Sequence, residues 1–365
     1  MAFRPFAFPS PFCRLGFWFA LACAADASAG AGAEDNGQNI RVPSYTLPPS
    51  PYLSAEARRT LRDGLGPETT SVEQQIRNGE ITPLRAAIAR DGLRAAEALA
   101  ARSGVTFVEA ELDGVHGFWV RPAVKQRADG KASRAVLLNL PSGGFLVGSA
   151  AGMGLAESIP VAAATGFDVF TMDYRQAPEA KFPAASEDVA RAYRALLRDH
   201  RAAEIGLYGC SAGGLLAAQA LVWFQRHELP VPGGIAIMGA SADAQWGGDS
   251  WSWQKPLREL STPPSLDEGF YYGGAKFDDP LLSPIASDEA LRRFPPTLLL
   301  TATRAPELSA AADTHRRLTR VGVDARLHVW DGLGHCFFAN PALPESAEAW
   351  TVVSGFFAAR LSDGK

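Results

Sequence analysis

Sulfur is scarce in this chain, which has four cysteines and four methionines among 365 residues. So few cysteines exclude a disulfide framework as the basis of the fold. Charge of one sign is not in excess either. A net charge of −4, with acidic and basic residues interspersed, gives no global electrostatic reason to bind nucleic acid or an anionic membrane. Long apolar runs are also lacking: the stretch from Leu15 to Ala25 is too short to span a bilayer. No repeat of about 20 to 50 residues occurs, so a solenoid or propeller is excluded. What remains is an ordinary globular composition, 47% hydrophobic and 20% charged, long enough for one large α/β domain or two smaller ones with a well-buried core.

The N-terminus differs from the rest. Arg4 and Arg14 come before or beside the Leu15 to Ala25 run, and Ala27-Ser28-Ala29 supplies a small-x-small cleavage signal. This is the layout of a secretory signal peptide over residues 1–29, and it predicts export to the periplasm or the exterior. A lipid anchor through Cys23 fits less well, because Ala20 stands where leucine is usual. Residues 30–51, rich in Gly, Pro, Asn and Ala, read as a linker. Cleavage would remove Cys13 and Cys23 and leave only Cys210 and Cys336. These adjoin Ser211 and His335 and are read as small buried side chains shaping a site, neither a disulfide framework nor a redox switch.

From Ser54 to Arg102 the pattern is helical, broken near Gly64–Pro67 and Gly79–Pro83, and alanine-heavy. Residues 52–104 therefore suit cap helices over a pocket better than a separate core. Residues 105–365 alternate apolar strands with helices. The strands are predicted at Thr106–Glu111, Gly117–Arg121, Ala135–Leu140, Asp168–Tyr174, Ile205–Tyr208, Gly234–Met238, Thr297–Thr301 and Ala325–Trp330. The helices are predicted at Met153–Ala164, Ala184–Asp199, Gly213–His227, Ser309–Val321 and Ala347–Leu361. Such alternation implies right-handed crossovers and a mostly parallel sheet covered on both faces. A long insertion at about 240–293 interrupts it with Trp246, Trp251, Trp253, Phe270, Tyr271 and Tyr272. That insertion reads as the second part of the cap, its aromatics partly packing on the sheet and partly lining a substrate site.

A serine becomes a useful nucleophile when it is exposed at a turn, deprotonated by a base and faced by donors for the oxyanion. Gly209-Cys210-Ser211-Ala212-Gly213-Gly214 lies between a predicted strand and a predicted helix, the context that gives a G-x-S-x-G motif meaning. The free amides of that helix begin with Ala212 and suit a developing negative charge. A second donor is expected from Pro141-Ser142-Gly143-Gly144-Phe145, after a core strand, where Gly143 and Gly144 let backbone N–H groups come close. Of the six histidines, only His335 follows the last core strand in a glycine-flanked loop, Asp331-Gly332-Leu333-Gly334-His335. His335 is therefore the expected base, in the order Ser, acid, His.

These motifs, with Asp173-Tyr174-Arg175-Gln176-Ala177-Pro178-Glu179 and Phe182-Pro183-Ala184-Ala185-Ser186-Glu187-Asp188, resemble the hormone-sensitive-lipase-like family of α/β-hydrolases. These are bacterial esterases with a His-Gly-Gly-Gly loop, and the resemblance runs from about Thr106 to the C-terminus. It implies an eight-stranded sheet, a small cap, and hydrolysis of short- to medium-chain carboxylic esters with no cofactor or metal. It also implies oxyanion donors at the amides of Gly143, Gly144 and Ala212, and a bracing role for the Asp173–Glu179 block. Two departures stand out. Pro141 and Ser142 precede the loop glycines, and Pro141 cannot make the hydrogen bonds with which the family's histidine holds the loop. Ala305 occupies the usual aspartate position in Thr303-Arg304-Ala305-Pro306-Glu307. Glu307 has a longer reach and could act as the acid, Asp331 would have to fold back, and a site with no acid is the third option.

The expectation is an exported serine carboxylesterase acting on a small-molecule ester, with no nucleic-acid partner and no membrane span in the mature chain. The alternative is an impaired homologue that binds a small ligand without turning it over. No oligomeric state is assigned.

Overall fold

The computed structural model describes residues 46–63, 80–123, 133–252 and 271–361. The predicted signal peptide, most of the predicted linker, the break at Gly64–Pro67, and Trp253 and Phe270 of the insertion lie outside the described residues.

Two helices lead, α1 (Ala55–Asp63) and α2 (Ile81–Ser103). Ser54 starts the first, its hydroxyl accepting from the amide of Ala57 at 3.0 Å. The strands follow: β1 (Val105–Leu112), β2 (Val115–Pro122), β3 (Val136–Leu140), β4 (Asp168–Met172), β5 (Ile205–Cys210), β6 (Gly234–Met238), β7 (Thr297–Arg304) and β8 (Ala325–Gly334). They form one eight-stranded sheet in the order β1-β2-β4-β3-β5-β6-β7-β8. β2 is antiparallel to both its neighbours, and the remaining pairs are parallel. The parallel connections carry α3 (Leu155–Thr165), α4 (Ala184–Leu196), α5 (Ala212–Arg226) and α6 (Leu308–Arg320), and α7 (Pro344–Arg360) follows β8.

The predicted strands and core helices all form, and the differences at their ends matter for the site. β5 runs to Cys210 and delivers Ser211 directly, and β8 runs to Gly334 and delivers His335 directly. The expected helix start at Met153 is preceded by a wider helical turn over Ala150–Gly154, where Ser149 Oγ accepts from the amide of Gly152. Two cores hold the layers together. On one face Val136, Leu138, Ile205, Leu207, Ile235, Ile237 and Leu299 meet the helices α4 to α6. On the other, Leu137, Val169, Tyr208, Met238, Leu298 and Leu300 meet α1, α2, α3 and α7. Alternation thus persists in strands buried on both sides, each large side chain contributing about 1.5–3 kcal/mol of burial. The C-terminal ends of the parallel strands converge on one edge, and loops from β3, β5, β6, β7 and β8 meet there.

Candidate active site

Ser211 sits between β5 and α5 with φ 55° and ψ −121°, a conformation that non-glycine residues rarely adopt and that costs about 1–3 kcal/mol. Its amide donates to Met238 O at 2.8 Å, tying the turn to the end of β6. The flanking glycines are dictated by close approach. A Cβ on Gly213 would lie 1.8 Å from Leu140 O, and one on Gly209 would lie 2.4 Å from the same atom. The strained serine is therefore wedged between β3 and its own helix, with its side chain at the sheet edge.

His335 Nε2 lies 2.9 Å from Ser211 Oγ, and His335 Nδ1 lies 2.9 Å from Glu307 Oε2. A carboxylate can only accept, so Nδ1–H donates to Glu307 and Nε2 is left to accept from the serine hydroxyl. Glu307 is fully buried and takes a second hydrogen bond from Thr301 Oγ1 at 3.1 Å. Burial opposes its charge. The nearby His335 and the hydrogen bonds from His335, its own backbone and Thr301 outweigh that, and the carboxyl stays below its ordinary value. The structure thus brings Ser211, His335 and Glu307 into one hydrogen-bonded chain. Ala305, fully buried, makes the turn that leads there: its amide donates to Ala302 O, and its carbonyl accepts from Leu308. Asp331, the other sequence candidate, points elsewhere, accepting from Ser50 Oγ and from Thr303 Oγ1 at 2.9 Å.

The loop after β3 turns sharply. Gly143, Gly144 and Phe145 all have positive φ, and Leu146 and Val147 donate to Gly143 O. The bonds that close that turn use the amides of Leu146 and Val147, and neither the Gly143 nor the Gly144 amide donates in it. A Cβ on Gly143 would fall 2.2 Å from the backbone of Gly148, so the loop closes on itself too tightly for a side chain. The Asp173–Glu179 block braces this loop, as expected of it. Tyr174 OH donates to Pro141 O at 2.6 Å, Gln176 Nε2 to Gly148 O at 2.6 Å and the Ala177 amide to Phe145 O at 2.9 Å. Arg85 of α2 adds a bond from Nε to Leu146 O at 2.6 Å.

The described parts of the insertion divide by role. Tyr271 and Tyr272 are buried, and Tyr271 stacks on Phe145 with ring centroids 4.5 Å apart. These aromatics hold the glycine loop in place. Trp246 instead lies 5.3 Å from the His335 ring, at the site itself. The same segment is stitched to the start of α6: Ser250 Oγ donates to Pro306 O at 2.7 Å and accepts from Ser309 N at 2.9 Å, and Ser250 N donates to Ser309 Oγ at 3.0 Å.

One expectation needs correction. Cys210 and Cys336 are joined by a disulfide and are not the separate small side chains that the sequence suggests. They are 126 residues apart, and only the convergence of β5 and the β8 loop at one sheet edge brings them together. The only hint in the sequence was that each cysteine adjoins a site residue. A second feature that the sequence does not single out is Glu157, a buried carboxyl on α3 beside the glycine loop. Its signal was a single acidic residue in the largely apolar helix Leu155–Thr165.

Residues 137–339 match a family described as alpha/beta hydrolase fold. An acetyl-hydrolase of Streptomyces hygroscopicus is 30% identical over 302 residues, 81% of this chain and 96% of that protein. The crystal structure of an esterase superposes with a TM-score of 0.74 at 27% identity, covering 88% of this chain and 99% of that one. An esterase from the bacterial hormone-sensitive lipase family gives a TM-score of 0.68 at 26% identity, over 85% and 99% of the two chains.

Proposed function

We infer that this chain, which belongs to the hormone-sensitive-lipase-like family of α/β-hydrolases, is a carboxylic ester hydrolase working through Ser211, His335 and Glu307. The observation that carries the reading is the continuous chain from Ser211 Oγ through His335 to Glu307, with 2.9 Å at each step. Ser211 Oγ attacks the ester carbonyl while Nε2 takes its proton. Glu307 holds the ring in the tautomer that allows this and stabilises the imidazolium that forms. The negative charge on the carbonyl oxygen meets the amides of Gly143, Gly144 and Ala212, the last being the first residue of α5 with no preceding turn to bond to. His335 then passes the proton to the leaving alcohol, and a water repeats the sequence on the acyl-enzyme.

The substrates are short- to medium-chain esters, a reading supported by likeness to an acetyl-hydrolase and by Trp246 standing against His335. The reading of residues 52–104 and about 240–293 as a cap is supported by Arg85 at the start of α2, which bonds Leu146 O beside the glycine loop, and by Trp246, which stands against His335. The complete Ser–His–Glu chain favours turnover over ligand binding without reaction. Export accords with the basic and apolar N-terminus and with a disulfide, a bond that persists in oxidising compartments. Among the described residues no helix is long and apolar enough to cross a membrane.

The test is hydrolysis of p-nitrophenyl acetate, butyrate and longer esters by wild type and Ser211→Ala, with fluorophosphonate labelling of both. Wild type should hydrolyse the short esters and label, and the variant should do neither. A rate unchanged by Ser211→Ala would sink the reading.

A further inference from the structure

A glycine loop that offers amides to an oxyanion needs its peptide planes fixed, because glycines permit the planes to turn over. The sequence left this need unanswered, since Pro141 stands where the family uses a histidine to secure the loop. The structure answers it from outside the loop. Glu157 Oε1 accepts from the Ser142 amide at 3.2 Å, and Glu157 Oε2 accepts from Asn139 Nδ2 at 3.0 Å. Asn139 lies on β3, fully buried, and its Oδ1 accepts from Thr171 Oγ1 of β4 at 2.7 Å. The floor of the sheet therefore orients the amide of Asn139, the amide orients the carboxyl, and the carboxyl holds Ser142 N–H. On the other side Tyr174 OH donates to Pro141 O at 2.6 Å. Pro141 C=O and Ser142 N–H belong to the same peptide unit, so that plane is gripped at both ends, immediately before Gly143.

We propose that Glu157 is a positioning residue of the ester hydrolase, clamping the Pro141–Ser142 peptide with Tyr174 so that the Gly143 and Gly144 amides face the oxyanion. The inference rests on the reading of those amides as oxyanion donors. Burying a carboxyl is costly, which fits a group kept for what it orients. Glu157 is 4% exposed, and burial pushes its carboxyl up to about 7 against the hydrogen bonds from Asn139 and Ser142 that favour the charge. The titratable groups set against it are Tyr174 and Tyr208, both phenols pushed well up by burial, so neither changes charge in the neutral range.

Glu157→Gln keeps the shape, but its amide can accept only on one side. Either Ser142 N–H or Asn139 Nδ2 then faces an NH2 donor. With p-nitrophenyl butyrate, kcat should fall about 10- to 100-fold while KM stays within about threefold, because a misaimed donor is felt mainly in the transition state. Tyr174→Phe releases the other end of the clamp and should lower kcat about tenfold, and the two losses should not add. Glu345→Gln, which alters a buried carboxylate remote from the loop, is the control for a general loss of stability and should leave kcat unchanged. A measurement independent of turnover completes the test: the amide proton of Ser142 in [15N]serine-labelled wild type. It should titrate with a midpoint near the value of about 7 set by Glu157 and stay flat in Glu157→Gln.

Unchanged kcat in both clamp variants overturns the proposal, as does a Ser142 amide whose chemical shift is the same in wild type and Glu157→Gln at every pH. A titrating Ser142 amide in a protein without Ser211-dependent hydrolysis would instead fault the functional reading and leave the clamp standing.

Discussion

Glu307→Gln is the substitution that most directly tests the rewired acid. In the native site Oε1 takes the Thr301 hydroxyl and Oε2 takes His335 Nδ1–H. A glutamine that keeps its oxygen toward Thr301 must turn its NH2 toward Nδ1. A donor there strips Nδ1 of its proton and moves it to Nε2, the nitrogen that has to accept from Ser211. The opposite rotamer sets the NH2 against the Thr301 hydroxyl, which can rotate but loses its acceptor. The favoured outcome is therefore the wrong tautomer in an intact fold. Trapping the wrong tautomer costs about four orders of magnitude in turnover in the serine-protease case, or about 5.4 kcal/mol at 1.36 kcal/mol per decade. We expect kcat/KM for p-nitrophenyl butyrate to fall about 10³- to 10⁴-fold, with fluorophosphonate labelling slowed in parallel and the thermal midpoint little changed. Asp331→Asn, which alters a carboxylate bonded to Ser50 and Thr303, should stay within about twofold of wild type. A Glu307→Gln enzyme within about tenfold of wild type would refute the reasoning. So would a large loss in Asp331→Asn with none in Glu307→Gln.

Two further outcomes follow from the same geometry. Reducing the Cys210–Cys336 bond opens a closure spanning 126 residues and frees the loop carrying His335. Dithiothreitol should lower the unfolding free energy by about 2–4 kcal/mol, together with kcat. Neither should respond to reductant in the Cys210→Ala/Cys336→Ala double variant; equal sensitivity there would remove the bond from the account. His116 is the second case: partial burial opposes its charge, but bonds to Asp173 Oδ2 at 2.6 Å and Glu109 Oε1 at 2.7 Å raise its pKa above 6.5 overall. The folded state therefore holds that proton more tightly than the unfolded chain. The stabilisation is complete below pH 6.5 and disappears as pH rises through the folded value. The half-exposed ring keeps the effect under about 1 kcal/mol. The midpoint difference between wild type and His116→Asn should shrink from about pH 6 to pH 9, and a difference that grows would contradict it.

The sheet was legible because its central strands are near-continuous apolar runs bounded by turn residues while β1 alternates, and the elbow because steric need fixes glycines at 209 and 213. His335 was legible from its place after the last strand. The acid was not decided by sequence: Ala305 and Glu307 differ by two residues, and which of them reaches His335 depends on a turn closed by backbone bonds from Ala305 and Leu308. The disulfide and the Glu157 clamp were missed for a related reason. Both join residues that neither period nor spacing relates, Cys210 to Cys336 through the meeting of two strand ends, and Glu157 to Ser142 through the packing of α3 on β3 and β4. A buried carboxyl in an apolar helix is visible in sequence, but its partner is not.

The three bonds between Ser250 and the Pro306–Ser309 turn carry a consequence for how this site can change. The turn that bears Glu307 and the insertion that bears Trp246 share a hydroxyl, so neither is an independent part. An insertion remodelled to admit a bulkier ester pulls on the carboxylate that sets the histidine's proton. On the proposed reading selectivity and turnover should change together, and a variant library spanning 246–250 and 306–309 jointly should reach combinations that either segment searched alone does not.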